Sequence, residues 1–395
     1  MHRVYLDNNA TTPLLPEVFE AMRPYFFEKF GNASSIHQQG QQARSAVEHA
    51  REQVAELLNC RPAEIVFTSG GTEGDNLALF GLMKPGDHLI TSSVEHHAVL
   101  NACKRLEEMG CAVTYLPVDG RALVDPDDVR RALRPETKLI SIILANNETG
   151  VLQPVSEIGK IASEADVYFH TDAVQAAGKV PLDVKEIGCD LLTITGHKMH
   201  GPQGAGALFV RRGTLLQPMM YGGRHERSRR AGTENLAGIV GLGKAAEMVR
   251  EGFADGSVER MAGLRDRLEQ GLIQRIGHCF VTGDPDNRLP NTANVAFEYI
   301  EGEGILLLLN KEGIAASSGS ACTSGSLEPS HVLRAMNIPD TAAHGAIRFS
   351  LSRDSTDDEV DRILAVMPDI VDKLRGISPF WSKEGAPQAF DPAYA

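Results

Sequence analysis

Strand-like and helix-like segments alternate through the first two-thirds of this chain, and this alternation limits the possible folds more than any other feature. Short apolar runs typical of buried strands occur at residues 64–68, 88–91, 139–144, 167–170 and 191–194. Helical periodicity separates most of them, as in residues 43–58 and 155–165. Strands joined by helices pair in parallel through right-handed crossovers. The pattern therefore predicts an α/β fold, with a mostly parallel sheet covered by helices on both faces.

The pattern changes near residue 255, where a second type of domain is predicted. A long helix is expected at residues 259–276, followed by shorter strands with Gly, Asn and Pro turns. A late amphipathic helix is expected after Thr356, which can form a capping box with Glu359. A chain of 395 residues has room for two or three domains. We predict a large α/β domain at residues 15–255 and a small α+β domain formed by residues 1–14 and 256–395.

Charge and cysteine usage exclude several classes of protein. The formal net charge of −13 argues against wholesale binding to nucleic acid or to an anionic membrane. The six cysteines form no Cys-x-x-Cys pair, so neither a disulfide scaffold nor a cysteine-based metal site is expected. No apolar leader or membrane-length stretch is visible. We therefore predict a soluble cytoplasmic protein without a bound metal.

Polar side chains gather at the predicted strand ends, where ligands bind in open parallel sheets. These positions are Gly71-Thr72, His96-His97, residues 146–148, residues 170–175 and residues 195–198. Gly71 and Thr72 open a helix after a strand, which suits a phosphate group, although a plain glycine turn would look the same. No Walker motif and no early Gly-x-Gly-x-x-Gly motif is present, so nucleotide cofactors are not favoured.

Lys198 and Asp172 form the combination that points to a particular cofactor. A lysine at a buried strand end can become a Schiff-base nucleophile, whereas a lone lysine is usually a surface residue. Asp172 stands one crossover upstream. It could pair with a pyridine nitrogen or simply cap a helix. The two together favour pyridoxal phosphate, which requires both groups.

Cys322 lies in a segment rich in serine and glycine, residues 317–326. A thiol on such a polar loop can be solvated and ionised, as a nucleophile must be, although a passive loop cysteine remains an alternative. A metal site built from His97, His170 and Asp172 lacks a regular ligand spacing. The basic run at residues 224–230 could bind an anion or a partner, or could be a solvated loop.

Taken together, these segments resemble the cysteine desulfurases over nearly the whole chain. The motifs that carry the resemblance are YLDNNATT at residues 5–12, ANNETG at 145–150, HTDAVQ at 170–175, GHK at 196–198 and the Cys322 segment at about 317–330. The Cys322 segment is similar to the longer catalytic loop of the bacterial IscS/NifS group. Residues 229–235, 283–287 and 378–381 look closest to the NifS branch, which serves nitrogenase metallocluster assembly.

The resemblance implies a fold-type-I pyridoxal 5′-phosphate transferase that works as a homodimer. It would convert L-cysteine to L-alanine, form a persulfide on Cys322 and pass the sulfur to an iron–sulfur scaffold protein. Catalysis would fall to Cys322, Lys198 and His97. Cofactor binding would involve Gly71, Thr72, His97, Asn147, Asp172, Gln175, Thr195, Gly196, His197 and Lys198, with Thr233 reaching in from the other subunit. The substrate carboxylate would bind Asn147 and Arg348.

Other readings of the same residues lead to different functions. A general desulfurase for housekeeping clusters and thio-cofactors would carry the same motifs, and so would a selenocysteine lyase-type enzyme. A non-catalytic sulfur carrier or cluster scaffold would need an exposed cysteine but neither Lys198 nor Asp172. A metal-dependent hydrolase would need His97, His170 and Asp172 as ligands.

Overall fold

The computed structural model describes residues 3–318, 329–381 and 390. Cys322 and most of the segment predicted to carry it therefore lie outside the described residues. The strands are β1 (Val4–Tyr5), β2 (Ile65–Thr68), β3 (His88–Ser92), β4 (Ala112–Leu116), β5 (Thr137–Ser141), β6 (Tyr168–Asp172), β7 (Leu191–Thr195), β8 (Gly206–Val210), β9 (Cys279–Val281), β10 (Thr292–Phe297), β11 (Ile314–Ala315) and β12 (Ala346–Ser350).

Helices alternate with the strands in the first part of the chain. They are α1 (Pro16–Met22), α2 (Pro24–Phe27), α3 (Gln38–Leu57), α4 (Gly71–Leu82), α5 (His97–Glu108), α6 (Pro126–Ala132), α7 (Val155–Glu164), α8 (Val184–Ile187), α9 (Leu236–Gly252), α10 (Ser257–Arg275), α11 (Gly302–Lys311), α12 (His331–Ala335), α13 (Asp340–Ala343) and α14 (Asp357–Arg375). Short 3-10 turns occur at Pro62–Glu64, Gly196–Lys198 and His225–Ser228.

The central sheet has seven strands in the order β2-β8-β7-β6-β5-β3-β4. The pairs β3–β4, β3–β5, β5–β6 and β6–β7 are parallel, whereas β8 runs antiparallel to both of its neighbours. The predicted α/β class with a mostly parallel sheet is therefore confirmed. Because the parallel strands point the same way, the carboxyl ends of β3, β5, β6 and β7 meet at one edge of the sheet.

A second apolar core forms around the smaller sheets. Antiparallel β12-β10-β9 packs against α10 and α14, and β1 pairs with β11 in parallel. This core draws on Val4 and Leu6 and then on buried residues from Met261 to Val371. The capping box of α14 is present, since Thr356 and Glu359 bond each other's backbone N–H groups. The domain boundaries at residues 14–15 and 255–256 stay a prediction.

The N-terminal segment connects the small sheets to the edge of the central sheet. Asp7 forms a bridge with Ser350 at the end of β12, and the N–H of Asn9 donates to the Ser350 hydroxyl at 2.9 Å. Thr12 then donates from its backbone N–H to the carbonyl of His197, also at 2.9 Å. Residues 7–12, which we call the N-terminal strip, thus pass directly over the predicted site. Along the described ranges, no helix has the length and apolar character needed to cross a membrane.

Candidate active site

A cavity of about 390 Å³ opens at the carboxyl edge of the central sheet. Its lining residues come from every element that was predicted to contribute at the sheet edge, together with the N-terminal strip and β12. They are Asn9, Ala10, Gly71, Thr72, Asp75, His96, Ile143, Asn147, Asp172, Val174, Gln175, Thr195, His197, Lys198 and Arg348. The fold therefore brings together most of the residues that the sequence analysis singled out.

Lys198 enters the cavity from the 3-10 turn that follows β7. Its Nζ donates to the carbonyl of Ala10 at 2.7 Å and also to that of Asn9. The turn is tight, because a Cβ on Gly196 would come within 2.9 Å of the Pro202 carbonyl oxygen. The side chain is therefore aimed at the N-terminal strip, with its amine at the cavity wall.

Asp172 ends β6 and lies almost completely buried in the same cavity. Burial raises the pKa of its carboxyl, while the N–H of Val174 (2.9 Å from Oδ1) and the Lys198 charge lower it. Burial is the larger effect and raises the pKa to about 6, so the charged form of this carboxyl would gain strongly from a cationic partner. A protonated ring nitrogen would be such a partner.

The start of α4 provides a cradle for an anion. Gly70 has a φ of 155°, and a Cβ on Gly71 would lie 2.7 Å from a methyl group of Val174, so both positions need glycine. The first N–H groups of a helix have no carbonyl within the helix to bind, and Gly71 and Thr72 at the start of α4 line the cavity. Thr195 donates its hydroxyl to the Ala205 carbonyl at 3.3 Å, so it can offer a phosphate only a shared contact.

His96 lines the cavity, whereas its neighbour His97 does not appear in the lining. His96 is the N-cap of α5, and its Nδ1 accepts from the N–H of Ala98 at 3.1 Å. Burial lowers the pKa of His96 to about 4, with the Lys198 charge as the next cause. His97 instead packs its ring against His331 with centroids 4.8 Å apart. The sequence does not show which of two adjacent histidines points into a site. Their side chains point in different directions here because His96 is the N-cap of α5 and His97 is its first residue.

His197 and His170 also carry lowered pKa values, for a common reason. Burial lowers the pKa of His197 to about 4, and its Nδ1 lies 3.2 Å from the hydroxyl of Thr11. Burial lowers the pKa of His170 to about 3, and its ring nitrogens contact Ser141 and Thr193. Across the described ranges, no group of three or more His, Cys, Asp or Glu side chains is arranged to hold a metal ion.

Arg348 enters from β12 and presents an incompletely bonded guanidinium to the cavity. Nη1 donates to the Asn147 carbonyl at 2.9 Å, and Nη2 donates to Asp7 at 2.8 Å. Its Nε is buried and has no hydrogen-bond partner among the described residues. A buried N–H of this kind calls for an acceptor, and a carboxylate matches the geometry of a guanidinium.

Among the predicted residues that the structure describes, His97, Gly196 and Thr233 do not line this cavity. Thr233 lines a separate cavity of about 600 Å³ with Arg224, Arg227 and the buried Arg51–Glu226 ion pair. Cys322 lies outside the described residues, but the chain on both sides of it is placed. Ser317 exchanges two backbone hydrogen bonds with Arg348, and the hydroxyl of Ser330 donates to the buried Glu148.

The donor set fits pyridoxal 5′-phosphate. An amine, a buried carboxylate, a helix start suited to an anion and a guanidinium short of one acceptor all face one cavity. The N-terminal strip was not predicted to form part of this wall, although Asn9 and Ala10 carry the carbonyls that hold Lys198. Backbone carbonyls leave no side-chain signal, so only the resemblance of residues 5–12 could have drawn attention to them.

Comparison with known proteins gives matches along the whole chain. The aminotransferase class-V family matches residues 4–363. A cysteine desulfurase of Gluconacetobacter diazotrophicus is 56% identical over 100% of both chains. The cysteine desulfurase NifS of Azotobacter vinelandii is 52% identical over 100% of both. A cysteine desulfurase IscS of Dictyoglomus turgidum is also 52% identical, over 95% of this chain and 96% of its own. A solved NifS-like protein superposes with a TM-score of 0.88 at 37% identity, covering 94% of this chain and 100% of that one.

The low pKa of His96 makes a testable contribution to stability. Between about pH 6.5 and pH 4 the unfolded chain binds a proton that folded His96 does not. The free energy of unfolding should therefore fall as the pH falls through this window. His96→Asn keeps a side chain that can cap the helix but removes the titrating imidazole. The free energy of unfolding of this variant should therefore fall less steeply with pH than that of the wild type, by at most about 1.4 kcal/mol per pH unit.

Urea denaturation of the cofactor-free protein at a series of pH values measures this difference. His49→Asn is the control, because His49 is exposed on α3. Equal slopes for the His96 variant and the wild type would contradict the buried, neutral state of His96.

Proposed function

We propose that this chain converts L-cysteine to L-alanine with pyridoxal 5′-phosphate in the cavity described above. The reason is that the chain belongs to the aminotransferase class-V family and, within it, to the cysteine desulfurases. The observation that carries the proposal is the convergence of Lys198, Asp172, the start of α4 and Arg348 on one cavity. A non-catalytic sulfur carrier would have no use for this convergence.

The cofactor, when bound, withdraws electrons from the amino-acid carbon attached to it. Lys198 would hold it through its amine, and the carboxylate of Asp172 would keep the ring nitrogen protonated. Gln175 would face the phenolic oxygen. The phosphate would contact Gly71, Thr72, Thr195, Gly196 and His197. Thr233 lines a different cavity of its own chain, which is consistent with its reaching the phosphate of a second subunit in a homodimer.

We assign the histidine beside the cofactor ring to His96 rather than His97. His96 lines the cavity and is held neutral by burial, so it can accept a proton near the substrate. His97 is turned toward His331. The motif predicted His97 beside the ring, and we propose the preceding residue, His96, in its place.

The substrate carboxylate would bind Arg348 and Asn147. The guanidinium of Arg348 lines the cavity and would supply the positive charge for this carboxylate, while Asp7 and the Asn147 carbonyl hold Nη2 and Nη1 in place. Arg348 and Lys198 line the same cavity, so a carboxylate bound at Arg348 would bring Cα of the amino acid toward the amine of Lys198. That amine would move protons to and from the substrate carbons.

Sulfur transfer requires a nucleophile, and we propose the thiolate of Cys322. It would attack the substrate sulfur, the bond between that sulfur and Cβ would break, and Cβ would keep the electron pair and be protonated. L-Cysteine and a protein thiol thus give L-alanine and a protein persulfide, with no external oxidant. Cys322 follows Ser317 by five residues in the sequence, and five residues of fully extended chain span at most about 18 Å. Since Ser317 bonds the backbone of Arg348, the cavity is within reach.

The destination of the sulfur is the finer part of the proposal. We propose an iron–sulfur scaffold protein in the cytoplasm as the acceptor, and nitrogenase metallocluster assembly as the pathway. The similarity to NifS of Azotobacter vinelandii supports this choice. A general role in iron–sulfur or thio-cofactor synthesis is the second candidate, because a relative named IscS is equally similar.

Cys322→Ala should abolish formation of L-alanine from L-cysteine while the yellow cofactor stays bound. The reason is that the substrate sulfur would have no nucleophile to receive it. Cys60→Ala is the control, since burial raises the pKa of that thiol to about 12. Alanine release, the visible spectrum and persulfide mass on Cys322 would be measured. Continued turnover by the Cys322 variant would favour direct elimination, as in a selenocysteine lyase-type enzyme.

His96→Asn and His97→Asn provide a matched test of the reassigned histidine. We expect kcat to fall about 100-fold for the His96 variant, the usual effect of losing a general acid–base group, and less than about tenfold for the His97 variant. Asparagine preserves the helix cap in the first case. The opposite order would return the role to His97.

Deletion of the gene should lower nitrogenase activity and leave other iron–sulfur enzymes unaffected. The reason is that a dedicated desulfurase supplies only one assembly route. Nitrogenase and aconitase activities in the same cells measure the two routes, with reintroduced wild-type protein as the control. Loss of aconitase activity to the same degree would favour the housekeeping role.

A further inference from the structure

Lys179 is a buried lysine beside the cavity that the proposed reaction does not use. Its Nζ donates to the backbone carbonyl of Gln175 at 3.0 Å and to the side-chain Oε1 of Gln175 at 2.8 Å. It also lines a cavity of about 50 Å³ together with Lys198. Only 5% of the residue is exposed, so a role in surface charge does not explain it.

The contacts of Gln175 fix which end of its amide faces which neighbour. Nε2 lies 2.8 Å from the carbonyl oxygen of Asn9, which can only accept, so this end must be the NH₂ group. Oε1 then faces Nζ of Lys179. Because Nε2 carries two hydrogens and only one is used by Asn9, the second is available to the main cavity that Gln175 lines.

The two hydrogen bonds from Lys179 to Gln175 do not depend on the charge of Lys179. Burial, followed by the charges of Lys198 and Arg348, holds the pKa of Lys179 well below its ordinary value of 10.5. A neutral amine still has two N–H groups, which is the number needed for the two oxygens of Gln175. His197 and His200 are the other titratable groups that interact electrostatically with Lys179.

We propose that Lys179 is a positioning residue that holds the Gln175 amide with its N–H directed at the phenolic oxygen of the cofactor. The inference rests on the proposed function. Without Lys179, Oε1 would be buried without a donor, and the amide would be held only by its hydrogen bond to the carbonyl of Asn9. The amide could then shift, and its remaining N–H would be directed less well at the phenolic oxygen, which would weaken that hydrogen bond.

The visible absorption of the holoenzyme reports on this contact. A donor at the phenolic oxygen stabilises its negative charge and so weakens the hold of the neighbouring nitrogen on its proton. Loss of the donor should therefore raise the pH at which the visible band changes. For Lys179→Met we expect an upward shift of about one pH unit, the size typical of a lost hydrogen bond to a charged group.

Two variants control the measurement. Lys179→Gln keeps two N–H groups and should leave the midpoint closer to the wild type than the Met variant does. Lys185→Met removes an exposed lysine that contacts Asn59, and it should leave the midpoint unchanged. If Lys179→Met does not fold, as judged by circular dichroism, the smaller Lys179→Ala gives the same comparison.

A double-mutant cycle with Gln175→Leu tests whether Lys179 acts through Gln175. In the Gln175→Leu background, adding Lys179→Met should cause no further shift. An unshifted midpoint in Lys179→Met, or an equal shift in both backgrounds, would overturn the inference while the wild-type enzyme still makes alanine. Absence of a visible band from wild-type protein supplied with pyridoxal 5′-phosphate would overturn the proposed function and the inference together.

Discussion

The carbonyl of Asn9 is the contact on which the arrangement of the site depends. It accepts from Nζ of Lys198 and from Nε2 of Gln175, so one backbone oxygen orients two side chains that enter from different strands of the central sheet. The side chain of Asn9 is bonded in turn to Thr292 and Asn291, in and beside β10. The N-terminal strip therefore connects the end of β7, which is followed by Lys198, to the small sheet that carries Arg348.

Burial determines which groups around the cavity carry charge. It raises the pKa of Glu95 to about 8 and raises that of Asp75 well above its ordinary range, with repulsion from Asp172 as the next cause for Asp75. It also keeps the nearby histidines neutral. Few charges remain, so Lys198, Asp172 and Arg348 act in a largely buried site, where each attracts a ligand more strongly than it would in water.

Sequence patterns predicted the parallel part of the sheet because helices lie between the successive strands from β3 to β7. They missed β4, a partly exposed edge strand, and β8, which follows β7 through a turn rather than a crossover. Lys198 and Asp172 could be found because strand ends converge in such sheets. Tertiary contacts determine the direction of His96, the orientation of Gln175 and the position of the carbonyls in the N-terminal strip. Such contacts produce no periodic pattern in the local sequence, so these features could not be predicted.

The ends of the segment that contains Cys322 are held where Ser317 meets Arg348 and Ser330 meets Glu148. For a chain that is fixed at both ends, the entropic cost of closing the loop grows only slowly with its length, and doubling the length costs only about 0.6 kcal/mol more. A change in the number of residues between these two contacts therefore carries only a small free-energy cost of closure, whereas a change at Ser317 or Ser330 acts directly on the contacts of Arg348 or Glu148.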